Sequence, residues 1–201
     1  MKILKSMTIL AIASVPLVGG AQESASKSGD AGVELTDVLS RYAKRHGKTF
    51  IVDPRVRATG GLVGIDADKI TYEQLLAFAS VHGYVIITTG EVTTITPDAG
   101  ARQQPTPVYT DARFKALDDE WVTLLLSAKN ACTAHLVPIL RPLMPQAAHL
   151  AAEPMSNQIV VSDRAVNARR IADLIGRIDA AAPAGRGCPD WKPLAAPKKG
   201  S

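Results

Sequence analysis

Between Thr133 and Ile178 the hydrophobic period switches twice, and that switch restricts the fold more than any other feature of the chain. Thr133 to Leu140 reads as a helix that Pro142 and Pro145 force to an end. Pro138 lacks the N–H that would bond back to Ala134, so this helix is expected to be kinked, or short and tightened. Ala148 to Ala152 and Gln158 to Ser162 then pair as a hairpin around Glu153 to Asn157. Ile171, Leu174, Ile175 and Ile178 follow at helical spacing, behind a cap at Ser162 or Asp163. Ahead of them, Trp121 to Ala128 is an almost unbroken apolar run, as in a strand covered on both faces. The order strand, helix, strand, strand, helix defines a small α+β unit over residues 120–180.

A second α+β unit precedes it, over residues 33–97. Leu35, Val38, Leu39, Tyr42 and Ala43 share one helical face, with Thr36 able to cap its start and Gly47 its end. Phe50 to Val52 is a short strand stopped by Asp53-Pro54. Leu62 to Ile65 is read as another, after a Gly60-Gly61 turn. Thr71 and Gln74 have capping-box spacing, and Tyr72, Leu75, Leu76 and Ala79 form the next apolar face. Tyr84 to Thr88 and Val92 to Thr96 are β-branched runs joined at Thr89-Gly90-Glu91, the pattern of a hairpin. Each unit alone is near the size at which a core is marginal.

The remaining segments read as connections and ends. Lys2, Lys5, an apolar run from Met7 to Val18 and the small residues Gly19 to Ala21 form a secretory signal peptide, residues 1–21. The run is too short for a membrane span and contains Pro16. Residues 22–32 are a polar leader, and residues 98–119 a linker with little period. Residues 181–201 are a tail rich in Ala, Pro, Gly and Lys. The 23 basic and 19 acidic residues mislead until the ends are set aside. Without Lys2, Lys5, Arg186, Lys192, Lys198 and Lys199, and without Asp190, the body carries 17 basic and 18 acidic residues. A basic nucleic-acid face is therefore not expected.

Catalytic and metal-binding patterns do not emerge. His46, His82, His135 and His149 are scattered, without ligand spacing; His46 and His82, each before a glycine, read as helix-end residues. Ser162-Asp163 reads as a helix cap. Asp118-Asp119-Glu120 reads as a solvated loop end, and Arg164, Arg169 and Arg170 as a solvated helix face. No cofactor and no enzymatic activity are expected.

The motifs carry a resemblance. Phe50-Ile-Val-Asp-Pro-Arg-Val56, then Tyr72, Leu75, Leu76 and His82-Gly83-Tyr84, resemble the first periplasmic domain of type II secretion system secretins. Leu136 to Pro145, His149 to Asp163 and Asn167 to Ile171 resemble the next secretin domain. The resemblance covers about Val33 to Asp179. It implies a first fold like the short N-terminal domain shared by secretins and TonB-dependent receptors, and a second KH-like βαββα fold. Leu143-Met-Pro-Gln146 stands where an RNA-binding KH domain has its G-x-x-G loop, so nucleic acid is not an expected partner. The long strand-rich pore region of a secretin has no counterpart here. The resemblance thus implies a periplasmic interaction module of a secretion apparatus. Its expected partners are a secretin, inner-membrane components, or further copies of itself. A module of another envelope system, such as receptor signalling, is the alternative.

Two further expectations concern particular residues. Cys132 and Cys188 are an even pair in an exported chain, so a disulfide pinning the tail is expected, against the alternative of one buried and one free thiol. Val92, Thr94 and Thr96, and the run Ala148 to Ala152, are candidate strand edges for pairing with a partner.

Overall fold

The computed structural model describes residues 32–185, 187 and 188. The expected signal peptide, the leader before Gly32, and the tail residues Arg186 and Pro189 to Ser201 lie outside the described residues. The fold is mixed α+β, with two lobes that each enclose a hydrophobic cluster.

The first lobe runs β1 (Val33–Glu34), α1 (Leu35–His46), β2 (Phe50–Val52), β3 (Thr59–Gly60), α2 (Tyr72–Val81), β4 (Tyr84–Thr89) and β5 (Val92–Pro97). Leu35, Val38, Leu39 and Tyr42 turn inward from α1, and Gly47 ends the helix in the left-handed conformation (φ 60°) that a glycine adopts without strain. The capping box forms: Gln74 N–H donates to Thr71 Oγ1 (3.2 Å) and Thr71 N–H to Gln74 Oε1 (2.9 Å). β4 and β5 pair antiparallel from Tyr84↔Pro97 to Thr89↔Val92. Ile86 and Ile95, opposite one another, enter the core with Leu75, Leu76 and Ile70. Burying each such side chain is worth about 1.5–3 kcal/mol. The two motifs of this lobe meet at Tyr84. Its hydroxyl accepts from Arg57 N–H (3.0 Å) and lies within donating distance of the Arg55 and Arg57 carbonyls, 3.2 and 3.1 Å away.

One element differs from expectation. The strand read at Leu62 to Ile65 starts three residues earlier, as β3, where it pairs with β1 through Val33↔Gly60 and Glu34↔Thr59. Residues 62–65 instead turn at Gly64 (φ 73°), with Leu62 and Ile65 packed on the core. The ribbon lies against α2, and a Cβ on Gly60 would stand 2.4 Å from His82 Nε2. Gly60 is therefore a site of close approach rather than a free turn residue.

The second lobe contains β7 (Trp121–Ser127), α3 (Thr133–Leu140), β8 (His149–Glu153), β9 (Gln158–Arg164) and α4 (Ala165–Ala181). Its sheet order is β6-β7-β9-β8, with β6 (Val108–Tyr109) parallel to β7 and the other pairs antiparallel. α3 has eight residues and tightens into a 3-10 turn at Arg141–Leu143, the short form that Pro138 and Pro142 favour. The stretch read as a linker is folded. Asp98–Gln103 is a 3-10 turn, β6 joins the sheet, Phe114 enters the second core and Leu117 packs on the first. A few well-spaced apolar residues suffice for this, which a search for period misses.

The start of α4 also departs from expectation. Ser162 and Asp163 belong to β9, and Arg164 occupies the cap position without a side-chain cap bond. The first helical amides are satisfied by main chain instead: Ala165 N–H donates to Glu120 C=O (2.8 Å) and Val166 N–H to Asp118 C=O (3.0 Å). Ser162 Oγ accepts from Trp121 Nε1 (2.9 Å). Asp163 is fully buried and accepts from Arg164 N–H (2.7 Å) and Asn167 Nδ2.

Burial raises the Asp163 carboxyl above the ordinary value, and the bonds from Asn167 and Arg164 offset part of that rise. The folded state then holds a proton that the unfolded chain, with a pKa of about 4, has lost. This contribution is fully present below the unfolded value and is lost as pH rises through the folded one. Asp163→Asn is expected to gain stability relative to the parent as pH rises from about 4 to 7. Urea unfolding of both proteins across that range checks it; parallel curves would contradict it.

Candidate interaction surfaces

A strand can recruit a partner strand only if one side of its backbone is free. Thr94 fails this condition, and Val92 and Thr96 flank the paired stretch of the same strand. They lie on β5, the middle strand of the order β2-β5-β4, paired parallel with Phe50–Val52 on one side and antiparallel with Tyr84–Thr89 on the other. The expectation of an edge there is corrected: β2, distant in sequence, occupies the outer side. Ala148 to Ala152 fares differently, because β8 is the outer strand of its sheet. Leu150 points into the core, while Ala151 and Ala152 are partly exposed. Arg141 closes the start of this edge by donating to Ala148 C=O (2.8 Å).

The first lobe offers a second surface beside the β1–β3 ribbon. A cavity of about 380 Å³ is lined by Leu62, Val63, Ile65, Ala77, Phe78 and Val81, among others. Val63 is 94% exposed and Val81 82% exposed. Exposed branched aliphatics gathered at one place are unusual for a surface without a partner. Sequence reading missed this surface because Leu62 to Ile65 was read as a strand. The unpaired Val63 within that run was the available signal.

A third cluster surrounds the start of α3. Cys132 and Cys188 are joined with sulfurs 2.11 Å and Cα atoms 4.4 Å apart. The Asp179 carboxylate accepts from the main-chain N–H groups of Lys129, Asn130 and Ala131, at 2.7–3.1 Å. Desolvation raises its pKa, but these amides together outweigh it and hold the group below the usual carboxylate range. Asn157, at φ 50°, spans the same loop: its Oδ1 accepts from Thr133 N–H and its Nδ2 donates to Ala128 and Ala131 C=O. This constellation turns its polar groups inward on one another, as a structural tie does and a ligand site does not.

The charged residues expected on a solvated face are mostly engaged. Arg169 pairs with Asp118 at 2.5 Å and lies over Phe114, its guanidinium carbon 5.1 Å from the ring centre. Arg170 is exposed and within reach of Asn167 and Leu143 C=O. Arg164 is partly buried between the lobes. Glu120, in the acidic run, accepts from Leu117 N–H (2.9 Å). His46 ends α1 and His82 sits at the end of α2 against Phe78. Among the described residues no group of three or more His, Cys, Asp or Glu could hold a metal ion, and no helix is long and apolar enough to cross a membrane.

No family model matches the chain. Among curated proteins it is 29% identical over 148 residues to the secretin XcpQ of Pseudomonas aeruginosa, spanning 73% of this chain and 22% of that protein. It is 28% identical over 180 residues to the secretin PulD of Klebsiella pneumoniae, spanning 87% of this chain and 27% of that protein. A solved Klebsiella pneumoniae type II secretion system outer membrane complex, with PulD, PulS and the PulC HR domain, is similar over 77% of this chain and 27% of the matched chain. Its TM-score is 0.65, at 26% sequence identity. The α+β fold is that of secretin N-domains. The chain is homologous to the N-terminal regions of type II secretion secretins, and spans about a quarter of the length of those relatives.

The cysteine pair is open to direct test. Thiol titration of denatured, unreduced protein is expected to find neither Cys132 nor Cys188 free. Replacing both by serine is expected to cost about 2–4 kcal/mol in urea unfolding. Two titratable thiols would overturn the bridge.

Proposed function

We propose that this chain is a periplasmic protein–protein interaction module of a type II secretion apparatus, built as two small domains in tandem over residues 33–97 and 120–180. The observation that carries this reading is the homology to secretin N-terminal regions along both lobes, with one solved secretin complex superposing at a TM-score of 0.65. That solved complex holds PulD together with the PulC HR domain. By analogy, the partner is a small folded domain of an inner-membrane component, with a secretin as the other candidate. The apolar surface around Val63 and Val81 is the docking face, since it offers water-exposed aliphatic area next to a short two-stranded ribbon. Scaffolding rather than catalysis is the role, in keeping with relatives that are structural components of secretion. The part of those secretins beyond the matched region is not attributed to this chain.

Cross-linking a tagged mature chain in cells that express a complete type II apparatus is expected to recover a secretin or an inner-membrane secretion component. Val63→Glu with Val81→Glu is expected to abolish that recovery while leaving the thermal midpoint near the parent value, because both side chains are exposed. Recovery of neither component would favour a module of another envelope system. Undiminished recovery with the double variant would move the docking face elsewhere, β8 being the next surface to test.

A further inference from the structure

We infer that Arg164 is a positioning residue that sets the angle between the two lobes and makes them one rigid body. This goes beyond the proposed function and does not depend on the identity of the partner. The buried apolar cluster shared by the lobes is small, and Leu117 of the connecting segment also packs on the first core. Val85 and Ile87, on the face of β4 opposite Ile86, meet Ala101 of the 3-10 turn and Trp121 of β7, with Ala147 alongside. Apolar burial is non-directional, so such a patch holds two surfaces together while tolerating many angles. Relative motion is the default for two lobes unless their interface is large and hydrophobic.

Arg164 supplies the missing direction. It leaves the end of β9 in the second lobe, and its side chain is only 13% exposed. Nη1 donates to Asp119 C=O (3.3 Å), on the chain entering β7. Nη2 donates to Tyr84 C=O (3.2 Å) in β4 of the first lobe and lies 3.5 Å from Asp98 Oδ2, at the end of β5. The guanidinium carbon is 5.7 Å from the centre of the Trp121 ring. One planar fork thus reaches acceptors on both lobes, and its donor directions are fixed by its own geometry. Rotating one lobe against the other breaks the bonds to Tyr84 and Asp98 and leaves a partly buried charge with only Asp119 C=O and the Trp121 ring as partners. That outcome is far costlier than sliding an apolar contact. The energy of the joint therefore depends steeply on angle through this one side chain. Its consequence is geometric: the apolar face beside β3 and the open edge of β8 are held at a fixed separation and orientation.

Residual dipolar couplings of the backbone amides test this on the whole mature chain, without new cysteines. In the parent, a single alignment tensor is expected to fit the amides of both cores. Arg164→Ala is expected to lose the common tensor: the two cores fit separately, with unequal magnitudes, while each keeps its dispersed amide shifts. Arg164→Lys keeps the charge but not the fork, and is expected to lose the common tensor as well; it serves as the second variant if Arg164→Ala fails to fold. Two unequal tensors in the parent would overturn the inference, and so would one common tensor in a folded Arg164 variant.

Discussion

Strand β4 is apolar on both faces, and the rest of the architecture follows from the need to cover both. Ile86 faces the first core, where α1 and α2 cover it. Val85 and Ile87 face outward from a sheet of only three strands. Leaving two branched aliphatics in water on the back of a small sheet is costly, and a lobe of this size has no spare helix to place there. Trp121, the first residue of β7, fills the position, with Ala101 and Ala147 beside it. The indole then requires an acceptor, which Ser162 provides, and the neighbouring Arg164 requires several, which both lobes provide. Covering one apolar face thus explains why the two lobes touch and why the segment between them is folded.

The same economy appears at the helix ends. α4 begins without a side-chain cap because the carbonyls of Asp118 and Glu120 are already aimed at its first free amides. Asp163 is released from capping and buried beside Asn167, a position that penalises its charge. At the far end of α4, Asp179 does what a cap usually does, but for another segment: it satisfies three consecutive amides of the loop before α3. Cys132 and Cys188 lie at the same loop, so helix, loop and following segment are tied within a few residues of one another.

An interaction module needs a stiff frame and a surface that water does not satisfy. The lobes supply the frame through their separate cores and shared joint. The proposed docking surface lies where regular pairing stops, at the two-residue β1–β3 ribbon, after which the chain turns at Gly64; Val63 and Val81 are exposed there. Gly60 permits this because any larger residue would meet His82. Homology to secretin N-terminal regions extends across both lobes, so it concerns the pair and not one lobe alone.

Local patterns determined a good deal. The 3.6-residue period of α1 and α4, the Thr71–Gln74 capping box, the Gly90 hairpin and the βαββα order of the second lobe are encoded within a few residues of where they act, and they were legible. The β5 edge at Val92, Thr94 and Thr96 was misread because a hairpin does not disclose which of its strands lies outside; β2, some forty residues earlier, decides that. Arg164 looked like one of three solvated arginines because its acceptors, Tyr84 and Asp98, are 80 and 66 residues away. The periodic elements and their order are thus the work of the sequence read locally. Which strand is outermost, which arginine is drawn between the lobes and which aliphatics face water were decided only by tertiary structure, because each depends on a partner brought near by the fold rather than by the chain.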